Sequence, residues 1–148
     1  MEFNEIKETI EKAIIDLFKN QENIFDFTPQ TGQTEWNLAH HLAIEIHKFF
    51  PRYNCDIDVT KHNYGNKRPD MIFHKRGGNG ENFLVVEVKF NGTPNDLQND
   101  GDKIKANWFL RPLLYQFGAV VNLKSDKTGD VYLFQNEQNP QERKKGII

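Results

Sequence analysis

The sequence predicts an α/β domain with helices packed on a central sheet, and three features carry that expectation. The first fifty residues hold two stretches with helical spacing of apolar side chains; short runs with strand character follow; one more helical stretch then interrupts the strands. At 148 residues the chain is the size of one ordinary domain, large enough to bury a core without metals or disulfides. A single domain over residues 1–148 is expected, with a polar tail from about 136.

Phe3, Ile6, Ile10, Ala13, Ile14, Leu17 and Phe18 recur at helical spacing, with Lys7, Glu8, Glu11 and Lys12 opposite them, so residues 3–18 read as an amphipathic helix. Asn20 to Gln33 contains Pro29 and Gly32 and reads as a loop ending in Thr34, an N-cap for a second helix from Glu35 to about Phe50. Ala39, Leu42, Ala43, Ile46 and Phe49 form its apolar stripe, and Pro51 stops it. Three strands are expected next, at Cys55–Thr60, Asp70–His74 and Asn82–Phe90, the last two joined by the Gly-rich turn 75–81. Asn91 to Gly101 reads as loop, Asp102 towards Leu110 as a helix ended by Pro112, and Tyr115–Leu123 and Asp130–Phe134 as two final strands. The predicted order is α-α-β-β-β-α-β-β.

Composition excludes several function classes. A net charge of −2 announces no polyanion partner, although acids that hold a cation inflate the negative count. With Cys55 alone there is neither an internal disulfide nor a cysteine-built zinc site, which points to an intracellular, cytoplasmic setting. The charged N-terminus does not read as a signal peptide, and no segment has the length of a membrane span.

The chemistry lies on the central hairpin. Side chains alternate along a strand, so Val85, Glu87 and Lys89 share one face while Leu84, Val86, Val88 and Phe90 share the other; Asp70, Ile72 and His74 likewise fall together. Symmetric closure about Gly78-Asn79 places Asp70 directly across from Glu87. Opposed side chains in an antiparallel pair stand about 4.5–5.5 Å apart at Cβ, where two carboxylates repel and call for a cation between them. Mg²⁺, or Mn²⁺, suits two carboxylates completed by water, and Lys89 adds an ammonium for an anionic substrate or its attacking water.

These residues resemble a known pattern. Arg68-Pro69-Asp70 followed by Glu87-Val88-Lys89 is similar to the signature of the PD-(D/E)XK nucleases, the restriction-endonuclease-like fold, on the second and third strands as that fold requires. The resemblance implies that Asp70 and Glu87 bind a metal and that Lys89 orients or activates the water, in a mixed sheet flanked by helices. It further implies a role for a glutamate on the helix before the first strand, which Glu35 resembles, and for an acid and a lysine three apart on the later helix, similar to Asp100 and Lys103. On this reading the chain is a metal-dependent nuclease, with nucleic acid, DNA in the first place, as its partner. The alternative is a non-catalytic domain of the same fold that binds nucleic acid or protein.

Lys67, Arg68, Lys75 and Arg76 flank Asp70 and, with Lys103, are the candidates for holding phosphates. His40 and His47 share a helix face, but nothing nearby completes a zinc set, so these and His41 read as surface histidines; His74 points to the side of Asp70. Trp36 and Trp108 read as core or rim residues rather than base-stacking platforms. Cutting both strands of a duplex usually takes two sites, which makes a homodimer a reasonable expectation, although no segment specifies an interface.

Overall fold

The computed structural model describes residues 2–26, 32–57 and 69–137. Helices α1 (Phe3–Asn20) and α2 (Gly32–His47) are followed by strands β1 (Asn54–Ile57), β2 (Met71–His74) and β3 (Asn82–Phe90). Helix α3 (Pro94–Lys103) leads into a π-helical turn (Ile104–Trp108), and β4 (Phe117–Leu123) and β5 (Gly129–Gln135) complete the order. The predicted succession of elements is therefore the observed one.

The five strands form one sheet in the order β1-β2-β3-β4-β5, antiparallel throughout except for β3 and β4, which run parallel. A parallel pair cannot be joined by a tight turn, and α3 with its π-helical turn supplies the crossover. The result is an α/β fold with a five-stranded mixed sheet flanked by helices.

Each face of the sheet buries its own core. Met71, Phe73, Leu84, Val86, Val88, Phe117, Ala119 and Val121 pack with the apolar stripes of α1 and α2. On the opposite face Ile72, Val85 and Val120 pack under Ile104, Trp108, Phe109, Leu113 and Tyr115 from the crossover and the loop after it. The alternation predicted for β3 holds, but its second face is apolar at Val85 and becomes charged only beyond it.

Several boundaries move for identifiable reasons. Helix α2 begins at Gly32, so Thr34 sits inside the first turn rather than capping it, and the helix gives way after His47 to two tight turns that end at Phe50. Residues 58–60, the end of the first predicted strand, lie outside the described residues, as do 27–31 and the tail beyond 137.

The largest correction is α3. The segment read as loop up to Gly101 is helical from Pro94, because Thr93 caps it: Thr93 Oγ1 accepts from Asp96 N at 3.2 Å while Thr93 N donates to Asp96 Oδ2 at 3.0 Å. Proline at the first helical position needs no N–H partner and adds to the start signal. Gly101 does not end the helix. It is there because a Cβ at that position would stand 3.1 Å from Phe134 Cζ on β5. Gly118 on β4 is held more tightly still, since its Cβ would lie 2.4 Å from Ile104 Cγ2, so the π-helical turn can sit directly on the sheet.

Candidate active site

Strand β2 is shorter than β3, and that mismatch builds the site. Met71 pairs with Val86, Ile72 with Val85 and Phe73 with Leu84, the register that symmetric closure predicts; only at His74, which pairs with Asn82, does a bulge break it near the turn. Beyond Met71 the partner strand ends, leaving Glu87 to Phe90 without β2 on that side while β4 still pairs with them on the other. The freed N–H groups are taken by carboxylates. Val88 N donates to Asp70 Oδ2 at 2.6 Å, and Phe90 N donates to Glu35 Oε2 at 3.2 Å. The overhang of β3 thus draws in Asp70 from the same hairpin and Glu35 from α2.

Glu87 and Lys89 project from the overhang to the α3 side. Glu87 shares a hydrogen bond with the Asp70 carboxyl, and its pKa is pushed up to about 9 by burial first and then by the charges of Asp70 and Asp100. Burial also raises Asp70, helped by Glu35, while the Val88 N–H pulls the other way. Asp100 comes from α3, is 3% exposed, and places Oδ2 3.4 Å from Lys89 Nζ without a well-aligned hydrogen bond. Burial pulls the Lys89 pKa down, but the charges of Asp100, Glu35 and Asp70 together hold it above the ordinary lysine value. Lys103 Nζ stands 4.0 Å from Asp100 Oδ1 on the exposed rim.

Four carboxylates therefore meet one half-buried ammonium and one exposed one. Asn91, with φ of 52°, and Gly92, whose N–H donates to Asn122 Oδ1 at 2.8 Å, turn the chain from β3 into α3 and so fix where Asp100 arrives. Sequence reasoning tied Asp100 only to Lys103. The Thr93 capping box, which sets the start of α3 and hence the direction of its side chains, was the signal for its contact with Lys89.

The other predicted residues lie elsewhere. Lys75 donates to the Arg52 carbonyl oxygen at the turn end of the hairpin, and its ammonium lies 5.8 Å from the Tyr53 ring centroid. Arg76 pairs with Asp56 through Nε at 3.0 Å and Nη2 at 2.5 Å. His74 shares the sheet face of Asp70 but contacts Asp56 at 2.6 Å rather than the carboxylate cluster. Lys67 and Arg68 lie outside the described residues. His47 Nε2 lies 2.8 Å from the Tyr53 carbonyl oxygen, and burial, followed by neighbouring His40, lowers the pKa of His41.

Among the described residues no group of three or more His, Cys, Asp or Glu side chains is arranged to hold a metal ion. The Asp70–Glu87 pair still suits a hard cation of the Mg²⁺ type, which takes one or two carboxylates and keeps several waters. Its oxygen donors are partly buried, adjacent and short of positive charge, as the upward displacement of both pKa values reflects. A zinc site, which asks for four side-chain ligands or three and a water, does not fit.

No helix among the described residues is long and apolar enough to cross a membrane. No protein-family model and no curated protein matches the chain. The crystal structure of SSO0001 is similar in part, with a TM-score of 0.45 at 16% sequence identity over 88% of this chain and 66% of that one, too loose a likeness to carry an argument.

Proposed function

We propose that this chain is a Mg²⁺- or Mn²⁺-dependent nuclease domain of the restriction-endonuclease-like kind that hydrolyses phosphodiester bonds, with DNA as its first substrate. The observation that carries this reading is the convergence of Asp70, Glu87 and Asp100 on Lys89 at the overhang of β3. Support also comes from the element order, which places the motif at the second and third strands.

Asp70 and Glu87 would hold the cation. Bound there, it would polarise a phosphoryl oxygen and acidify a bound water, the two tasks that phosphodiester hydrolysis asks of a metal. Lys89 supplies the positive charge that meets the developing negative charge on the phosphoryl oxygens, or holds the attacking water. Asp100 keeps the Lys89 ammonium charged and aimed across the cluster, and Glu35 anchors the end of β3 through Phe90 N.

The test is incubation of the purified protein with plasmid and linear DNA, with Mg²⁺, with Mn²⁺ and with chelator. Metal-dependent cleavage that disappears in Asp70→Ala and Lys89→Ala is expected; cleavage that persists in either variant sinks the assignment. One observation favours a second reading, a non-catalytic binding domain: Asp70 and Glu87 share a hydrogen bond and Asp70 accepts from Val88 N, so the chain itself occupies part of their bonding capacity. Titration calorimetry separates the two, since a binding domain takes up no Mg²⁺ that Glu87→Ala abolishes.

A further inference from the structure

Helix α2 brings Glu35 to the end of β3 and turns the next side chain outward. Trp36 is 62% exposed, more than any other Phe, Tyr or Trp among the described residues, which leaves it at a rim rather than in the core. With Asn37, His40 and Ile57 it lines a cavity of about 580 Å³. Trp36 and His40 stand one turn apart on the same helix face, so the indole and the imidazole form one wall.

Two separate chain connections tie this cavity to the carboxylate cluster. On the helix side Trp36 follows Glu35. On the sheet side Ile57 pairs with Met71, the residue after Asp70. The two neighbouring regions divide their chemistry: the cluster carries charge, while the described lining of the cavity has an aromatic wall, an apolar side at Ile57 and the amide and imidazole edges of Asn37 and His40, with no acid or lysine among the described residues. A nucleotide divides in the same way, into a charged phosphate and a flat base with hydrogen-bonding edges.

We propose that the cavity receives an unpaired nucleobase, stacked on Trp36, from the strand whose phosphodiester lies at Asp70, Glu87 and Lys89. The inference rests on the nucleic-acid reading above and narrows its substrate class to single-stranded or frayed ends, because a base inside a duplex is stacked and paired and cannot reach a side pocket. Stacking of this kind tolerates any base, so Trp36 contributes affinity and strand preference rather than sequence choice.

The test uses the full chain with Ca²⁺ in place of Mg²⁺, which neutralises the carboxylates, and compares a short oligo(dT) with a blunt duplex of equal length. Trp108 is 3% exposed, so a change of fluorescence on adding oligo(dT) reports on Trp36. Oligo(dT) is expected to quench that fluorescence and to bind Trp36→Ala about 5- to 150-fold more weakly, the range found for the loss of one stacked base. Trp36→Phe should recover most of the affinity, and duplex binding should be equal in all three proteins. Equal oligo(dT) affinity in Trp36→Ala and the parent protein overturns the inference. So does a sedimentation shift in which Trp36→Ala separates two copies of the chain without changing its affinity for oligo(dT). Failure of the nuclease reading looks different: oligo(dT) binds through Trp36 and no DNA is cut with Mg²⁺. Conversely, Asp70-dependent cleavage with the same KM for single-stranded DNA in Trp36→Ala and the parent leaves the nuclease and removes the base site.

Discussion

The two ends of the β2–β3 hairpin carry charge clusters on the same sheet face, and they are built on opposite principles. At the turn end, Asp56 from β1 is met by Arg76 and His74, and the Arg76 hydrogen bonds, against the cost of burial, lower its pKa to about 2. At the open end, Asp70, Glu87, Asp100 and Glu35 crowd around Lys89, and the Glu87 pKa rises to about 9. The first cluster satisfies its charges from within the chain. The second is left with surplus negative charge, an arrangement that costs stability and makes sense where a cation and an anionic substrate complete it.

The sharpest way to break the comparison is to remove one carboxylate from each end. With Mg²⁺ present, Asp70→Ala should lower the rate of DNA cleavage by at least roughly 10²–10³-fold, the scale for loss of a group that supports transition-state charge. Asp56→Ala should leave the rate per folded molecule within a few-fold of the parent. Equal losses in the two variants would mean that the turn end belongs to the site as well.

Acidity distinguishes the ends next, and the signs are opposite. Glu87 has a folded-state pKa of about 9 against an ordinary 4.5, so its contribution is complete below pH 4.5 and is lost as pH rises towards 9. Asp56, at about 2 against 3.8, contributes above pH 3.8 and loses that contribution as pH falls towards 2. Melting temperatures of the metal-free protein should therefore decline by several degrees between pH 5 and 9. Glu87→Gln should flatten that decline, and Mg²⁺ should oppose it in the parent. A flat alkaline limb in the parent protein contradicts the crowding described at β3.

Stability gives a smaller contrast. Asp56→Ala leaves His74, 6% exposed, without its carboxylate, at a cost of about 1–3 kcal/mol. Thermal or urea unfolding at neutral pH reads this directly. Asp100→Asn, which leaves Lys89 without its charged partner but relieves the like charges around Glu87, should change stability by less than Asp56→Ala does.

What could be read in advance follows the same division. The register that sets Asp70 against Glu87 was legible because both strands are apolar on one face, and a slip of one residue would bury the carboxylates among Leu84 and Val86. The part of α3 before Asp102 was missed because the segment is polar and Gly101 looked like a breaker; the reason for that glycine is Phe134, thirty-three positions later, which no local rule can see. The placement of Lys75 and Arg76 failed in a similar way. Closeness in sequence to Asp70 suggested a shared surface, but a strand rises about 3.3 Å per residue, so the span of β2 puts Lys75 roughly 17 Å away. The partners that hold it and Arg76 there come from Arg52 and Asp56, on the other side of residues 58–68.

That distance sets up the finest test of the comparison, between two lysines both expected from the sequence to hold phosphate. Lys103 stands at the open end, its side chain 67% exposed and its ammonium 4.0 Å from Asp100, a geometry worth no more than about 1 kcal/mol of folding stability. Lys103→Ala should unfold like the parent protein, yet weaken DNA binding several-fold and reduce the slope of log affinity against log salt by about one, as loss of a single phosphate contact does. Lys75→Ala, at the turn end, should leave both the affinity and the slope unchanged. A salt slope that drops with Lys75 and not with Lys103 would place the bound strand at the balanced end of the hairpin, where Asp56 already answers the basic side chains, and would count against the proposed seating of a phosphate beside Lys89 at the open end.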